Sequence, residues 1–154
     1  MSTTPVTRAL DALSIPYRLH THEAPVRSLE QAARERGLAP SQIIRSLVFR
    51  LEEGSFVMVL VAGRARVSWP RLRRYLQVSR LTTASLNEVL QATGYRPGTV
   101  SPYGLPQPMR LLADRGLLAP DVLSLGAGVA NTGVILARED LLRTLSPEIG
   151  DFTD

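Results

Sequence analysis

Two histidines, two glycine-rich turns and a set of cations made only of arginine are the residues with chemical potential in this 154-residue chain. His20 and His22 lie two positions apart, which in a strand puts both on one face. A pair of imidazoles on one face could ligate a metal or supply a general base. No third ligand at a familiar spacing accompanies them, and no G-x-S-x-G segment offers a nucleophile. Metal or triad chemistry is therefore disfavoured, and two surface histidines at a strand end are the expectation. Cysteine is absent, which excludes disulfides, thiolate nucleophiles and cysteine-based zinc sites. It also fits a reducing cytoplasm.

The glycines carry more information. Gly94 to Gly104 packs three Gly and two Pro into eleven residues. Such a loop can turn its backbone N–H groups outward as an anion-binding nest; the same composition also makes an ordinary tight connection. Gly126-Ala127-Gly128 is a second turn between apolar runs. It lacks the third glycine and the following helix of a dinucleotide fingerprint, so Rossmann-type binding is rejected.

All 18 basic residues are arginine, against 14 acidic ones, for a net charge of +4. The missing lysine reads as a codon preference. The positive balance is compatible with a polyanionic partner such as RNA.

These residues need a scaffold, and the local signals supply one. Thr4-Pro5 opens a helix with Val6, Ala9, Leu10 and Leu13 at helical spacing, and Ile15-Pro16 ends it. Tyr17 to Thr21 alternates like a strand. Ser28 with Gln31 signals a helix that stops at Gly37. Ser46–Leu51 and Phe56–Ala62 read as a hairpin around Glu52-Glu53-Gly54-Ser55. A short helix starts after Ser68. Ser85 and Glu88 begin another, which Gly94 stops. Strands follow at Met109–Ala113, Val122–Leu125 and Val134–Ala137, with a closing helix at Glu139–Leu145. Helices and strands intersperse without a βαβ rhythm, so the expected class is α+β with a mostly antiparallel or mixed sheet, in one domain over residues 1–154. The opening residues lack a signal-peptide pattern, and no apolar run approaches the length of a membrane span.

Taken in order, these features resemble the YbaK/ProX family, the prolyl-tRNA-synthetase-associated editing domains. The resemblance rests on Ile15-Pro16-Tyr17, then His22-Glu23-Ala24-Pro25-Val26, the Ser28–Gly37 helix and Ile43-Ile44-Arg45-Ser46-Leu47-Val48-Phe49. The Gly94–Gly104 loop is similar to the family's Gly-Tyr-x-x-Gly-x-x-Ser-Pro-x-Gly segment. Gly126-Ala127-Gly128 and Glu139-Asp140-Leu141 complete a match that spans most of the chain. It implies a mixed, barrel-like sheet surrounded by helices. It also implies a cofactor-free hydrolase acting on the ester of misacylated tRNA, with proline tRNA carrying cysteine or alanine as the usual substrate. Prolyl-tRNA synthetase would be a possible partner, and the cytoplasm the place of action.

By position, the resemblance assigns Arg45, Gly98, Thr99 and Ser101 to catalysis. It assigns His22, Ser46, Gly94, Tyr95, Pro102, Gly126, Gly128 and Asn131 to substrate binding, with no metal. In that picture the Gly98–Ser101 backbone donates to the ester carbonyl, and Gly126 and Gly128 allow the substrate close. Arg45 stands where the family usually has lysine. A guanidinium stays protonated and cannot act as a base, but its fork suits a phosphate or an oxyanion. The alternative is that Arg45 is a salt-bridged residue at a strand start. A catalytically inert binding module and a protein-interaction domain of the same fold are the alternatives to an enzyme.

Overall fold

The computed structural model describes residues 3–154. Among these it has five α-helices and eight strands, mixed along the chain as the α+β reading expects. The helices are α1 Pro5–Ala12, α2 Leu29–Arg36, α3 Trp69–Leu76, α4 Leu86–Thr93 and α5 Arg138–Leu145. The strands are β1 Tyr17–Thr21, β2 Ile44–Leu51, β3 Phe56–Ala62, β4 Leu81–Thr83, β5 Arg110–Asp114, β6 Val122–Gly126, β7 Thr132–Ala137 and β8 Glu148–Gly150.

The mixture of helices and mixed sheet expected from the family is present, and no closed barrel forms among the described residues. The strands form two sheets, ordered β1-β7-β6 and β4-β2-β3-β5-β8. The small sheet is antiparallel throughout. The large one joins an antiparallel β4-β2-β3 unit to the parallel pairs β3-β5 and β5-β8. A single parallel bridge, Ile43 to Ser124, links the two. The chain enters through a 3-10 turn at Pro40–Gln42, where Gln42 Nε2 donates to the Val122 carbonyl at 3.0 Å. Beyond that bridge β2 pairs with β3 along its length and with β4 at Phe49–Leu51, and no ladder to β6 follows, so the sheets part where a barrel would continue.

Strand β3 shows why the sheets hold together. Met58 and Leu60 face a core shared with Leu123, Leu125, Val134 and Leu136 of the small sheet. Val57, Val59 and Val61 face the opposite way, against Leu72 and Leu76 of α3 and against Phe152. The period of two thus serves two cores at once, and a strand buried on both faces reads as a continuous apolar run.

Helix ends follow their sequence signals. Ser85 Oγ accepts from Glu88 N–H while Glu88 Oε1 accepts from Ser85 N–H, a closed capping box, and Gly94 ends α4 at φ +77°. On α2 only half the box forms: Ser28 Oγ accepts from Gln31 N–H, but the Gln31 side chain reaches Arg27 N–H and Glu35 instead.

The C-terminal segment is tied in by one buried carboxylate. Asp114 Oδ1 accepts from Phe152 N–H at 2.8 Å and from the Thr153 hydroxyl, and Oδ2 accepts from Gly116 N–H at 3.0 Å. Asp114→Asn would turn an amide NH₂ against one of these donors. A loss of about 2 kcal/mol is expected by urea denaturation. An unchanged midpoint would mean that the anchor contributes nothing.

Candidate active site

A chamber of about 610 Å³ opens between the two sheets. Its walls come from His22 after β1, from α2, from the start of β2, from the Pro97–Val100 turn and from the β6–β7 connection. A second cavity of about 630 Å³ adjoins it, sharing Arg45, Ser46, Leu47, Pro97, Gly98 and Val100. Of the residues singled out in the sequence, the chamber collects His22, Arg45, Ser46, Gly98, Thr99, Gly126 and Asn131. Gly94, Tyr95, Ser101, Pro102 and Gly128 are not among its lining.

Tyr95 and Ser101 hold the loop instead. Tyr95 is buried, its hydroxyl donates to the Tyr103 carbonyl, and burial pushes its pKa up to about 12. Ser101 is fully buried, and its Oγ accepts from Tyr103 N–H at 3.1 Å. The close approaches at the second glycine turn are internal to the protein. A Cβ on Gly126 would stand 2.9 Å from the Val100 carbonyl oxygen, and one on Gly128 would stand 2.9 Å from the Tyr95 ring. Gly126 therefore lets β6 lie against the Gly98 turn, which brings that turn to the chamber.

In the turn itself, Thr99 N–H donates to the Arg96 carbonyl at 3.1 Å, and the Thr99 carbonyl accepts from Gly128 N–H. Gly98, at φ +82° with open space beside it, and Val100 have N–H groups without an acceptor among the described residues. Ser46 Oγ is buried at the boundary of the two cavities and has no hydrogen-bond partner among the described residues. A buried hydroxyl left unpaired where a ligand could sit is a vacancy for a polar ligand atom.

Among the described residues Arg45 has no acidic partner. Its Nε donates to the Gly63 carbonyl at 2.7 Å and its Nη2 to the Ala65 carbonyl, pinning the β3–α3 connection over the cleft. Burial, followed by the nearby Arg64, pulls its pKa below the usual guanidinium value.

His22 departs from the surface position expected for it: it is buried. A guanidinium can only donate, so His22 Nε2 accepts from Arg36 Nε at 3.1 Å. The ring proton then sits on Nδ1 and donates to Glu35 Oε1 at 2.7 Å. Hydrogen bonds from Gln31 and then His22 hold the Glu35 carboxyl below the usual carboxylate range. Glu35 is the third potential metal ligand that the sequence did not reveal, with donor atoms of His20, His22 and Glu35 all within 4.8 Å of one another. Both His22 nitrogens are engaged, however, and a guanidinium beside the ring opposes a cation there. Nothing in the sequence marks Glu35 or Arg36 as a site residue. An arginine in the last turn of a helix reads as a partner of the helix dipole, and nothing local says that α2 delivers it to a cavity.

The family model described as "Aminoacyl-tRNA editing domain" matches residues 23–144, which include every chamber residue except His22. The chain belongs to the aminoacyl-tRNA editing domain family. This editing domain is 29% identical over 140 residues to the multifunctional Ser/Thr-tRNA deacylase ProXp-y of Escherichia coli K12, covering 88% of this chain and 83% of that protein. It is 33% identical over 106 residues to a proline–tRNA ligase of Bacillus licheniformis, covering 69% of this chain. The match takes up only 18% of the ligase. The crystal structure of a candidate trans-editing enzyme for prolyl-tRNA synthetase superposes with a TM-score of 0.89 at 26% identity, covering 97% of the editing domain and 95% of that structure. No helix among the described residues is long and apolar enough to cross a membrane.

Proposed function

We propose that this editing domain acts in trans as an aminoacyl-tRNA deacylase. Its proposed substrate is the ester of a misacylated tRNA, with proline tRNA carrying cysteine, alanine or another small amino acid as the leading candidate. Prolyl-tRNA synthetase is the proposed partner and the cytoplasm the proposed site of action. The observation that carries the reading is the meeting of the unpaired Gly98 and Val100 N–H groups, the unpaired Ser46 hydroxyl and Arg45 around one chamber without a carboxylate in its wall. The family match and the deacylase relative support it.

The task is one that a binding pocket alone performs poorly. Substrates that differ by a methylene separate by only about 1–3 kcal/mol, so a second, hydrolytic site is needed. An acyl ester is already activated toward water. Attack places negative charge on the carbonyl oxygen, and donors already aimed at that oxygen lower the barrier without reorganising. The Gly98 turn and the Arg45 cation supply such donors, and Ser46 Oγ can orient water or the ribose. The departing ribose oxygen takes a proton as the free acid forms.

Binding without turnover is the second reading. It has one observation in its favour, the commitment of Arg45 Nε and Nη2 to backbone carbonyls. The deciding experiment follows the release of alanine, cysteine, serine and threonine from proline tRNA charged with each. Acceleration of at least one over the buffer rate is expected. A uniform absence of acceleration across a wider set of misacylated tRNAs would overturn the deacylase.

A further inference from the structure

Arg36 and Arg45 are the partly buried arginines of the chamber wall, and neither has a carboxylate partner among the described residues; Arg45 gives Nε and Nη2 to backbone carbonyls. The exposed Arg50, Arg64, Arg110, Arg115 and Arg143 and the partly buried Arg138 each lie against a carboxylate. Arg36 does not. Its Nε donates to a neutral imidazole and its Nη1 to Ser124 Oγ at 2.9 Å, while that hydroxyl donates onward to the Val134 carbonyl. Nη2 has no acceptor among the described residues. A desolvated guanidinium without a counter-charge is costly to fold around unless something supplies the missing anion.

The surroundings hold this group in one place. Glu35 fixes the His22 tautomer, so Nε2 must accept, and Ser124 Oγ directs its proton to the Val134 carbonyl and so presents a lone pair to Arg36 Nη1. Strand β7 makes room for the group with Gly133, where a Cβ would collide with the Arg36 guanidinium. The chamber wall adds Arg27 and Arg45 and has no Asp or Glu. Such a wall selects an anion. On the deacylase reading, on which this inference rests, the substrate offers only one kind: the amino-acid carboxyl is esterified and its amino group is cationic, which leaves phosphate. A guanidinium fork suits a phosphate oxygen pair.

We propose that Arg36, aligned by Glu35 through His22, is the anion-binding group of the chamber and takes the phosphate of the 3′-terminal nucleotide. Calorimetric titration of the full chain with adenosine 5′-monophosphate, adenosine and inorganic phosphate tests this without requiring turnover. The monophosphate is expected to bind about tenfold more tightly than adenosine. Inorganic phosphate is expected to bind more weakly than the nucleotide. Arg36→Met should bring the monophosphate down to the affinity of adenosine, and Arg36→Lys should restore part of the difference. If Arg36→Met does not fold, Gly133→Ala replaces it: the added methyl must push the flexible guanidinium aside, and the same loss is expected. Equal binding of nucleotide and nucleoside by the wild type, or an advantage that survives in Arg36→Met or Gly133→Ala, overturns the proposal. So does inorganic phosphate binding as tightly as the nucleotide. Ester hydrolysis without a phosphate preference would sink this inference and leave the deacylase standing; a phosphate preference without hydrolysis would do the reverse.

Discussion

Replacing Arg45 with alanine is expected to lower kcat/KM for deacylation by about two orders of magnitude, the scale of one well-placed oxyanion donor. The cation lines both cavities beside Ser46 and the Gly98 turn, where the reacting ester would lie. Its two bonds to Gly63 and Ala65 fix its position and hold the β3–α3 connection. The substitution removes a charge and releases that connection together. Arg45→Lys separates the two effects. Lysine keeps the charge but presents a single point of attachment in place of a fork, so it cannot hold both carbonyls in one plane. Activity within about tenfold of wild type is expected for Arg45→Lys if charge dominates. A loss equal to that of Arg45→Ala would instead assign the effect to the fork. Initial rates on the preferred misacylated tRNA, with thermal melts of all three proteins, make the comparison. An Arg45→Ala enzyme as fast as wild type would remove Arg45 from the reaction.

The two kinds of feature in this site were unequally legible. Capping chemistry is local, so Thr4-Pro5, Ser85 with Glu88 and the stop at Gly94 could be read directly and match the structure. The Phe56–Ala62 run could be read as a strand because its burial on both faces writes one continuous apolar segment. Pairing between distant segments leaves no such mark. The edge strands β4 and β8 have three residues each, too few to establish an alternation, and they went unread. The parting of the sheets after Ile43 depends on where β2 finds its partner, which no local pattern records.

The site shows the same division. The Gly94–Gly104 and Gly126–Gly128 segments reach the candidate chamber through Gly98 and Gly126, and the close chain approach at Gly126 demands glycine. Which face of each segment meets the chamber is a tertiary matter. Tyr95 and Ser101 sit in the glycine-rich loop that suggested a binding role, yet both turn inward and hold the loop's shape. His22 shares a face with His20, as the spacing of two requires. Its burial follows from Glu35 and Arg36 arriving on α2.

Gly104→Ala is expected to destabilise the protein by about 3 kcal/mol, which for a chain of this size lowers Tm by about 6–12 °C. Two effects combine. Gly104 has φ +71°, a conformation that costs an L-residue about 1–3 kcal/mol. Its Cβ would also stand 2.6 Å from the Pro5 carbonyl oxygen and 2.7 Å from the Tyr95 hydroxyl. Neither neighbour can yield cheaply. Pro5 begins α1, which is capped by Thr4 and anchored to the Ala127 carbonyl at 2.7 Å. The Tyr95 hydroxyl is bonded within the loop. Gly94→Ala separates the two effects, since Gly94 has φ +77° but open space around its Cβ. Strain alone should cost that variant about 1 kcal/mol. Urea denaturation of both variants reads the difference. Equal losses would mean that the approach of α1 to the Gly104 turn yields freely. A larger loss at Gly104 would assign the excess to the close approach of α1 and Tyr95 to the Gly104 turn.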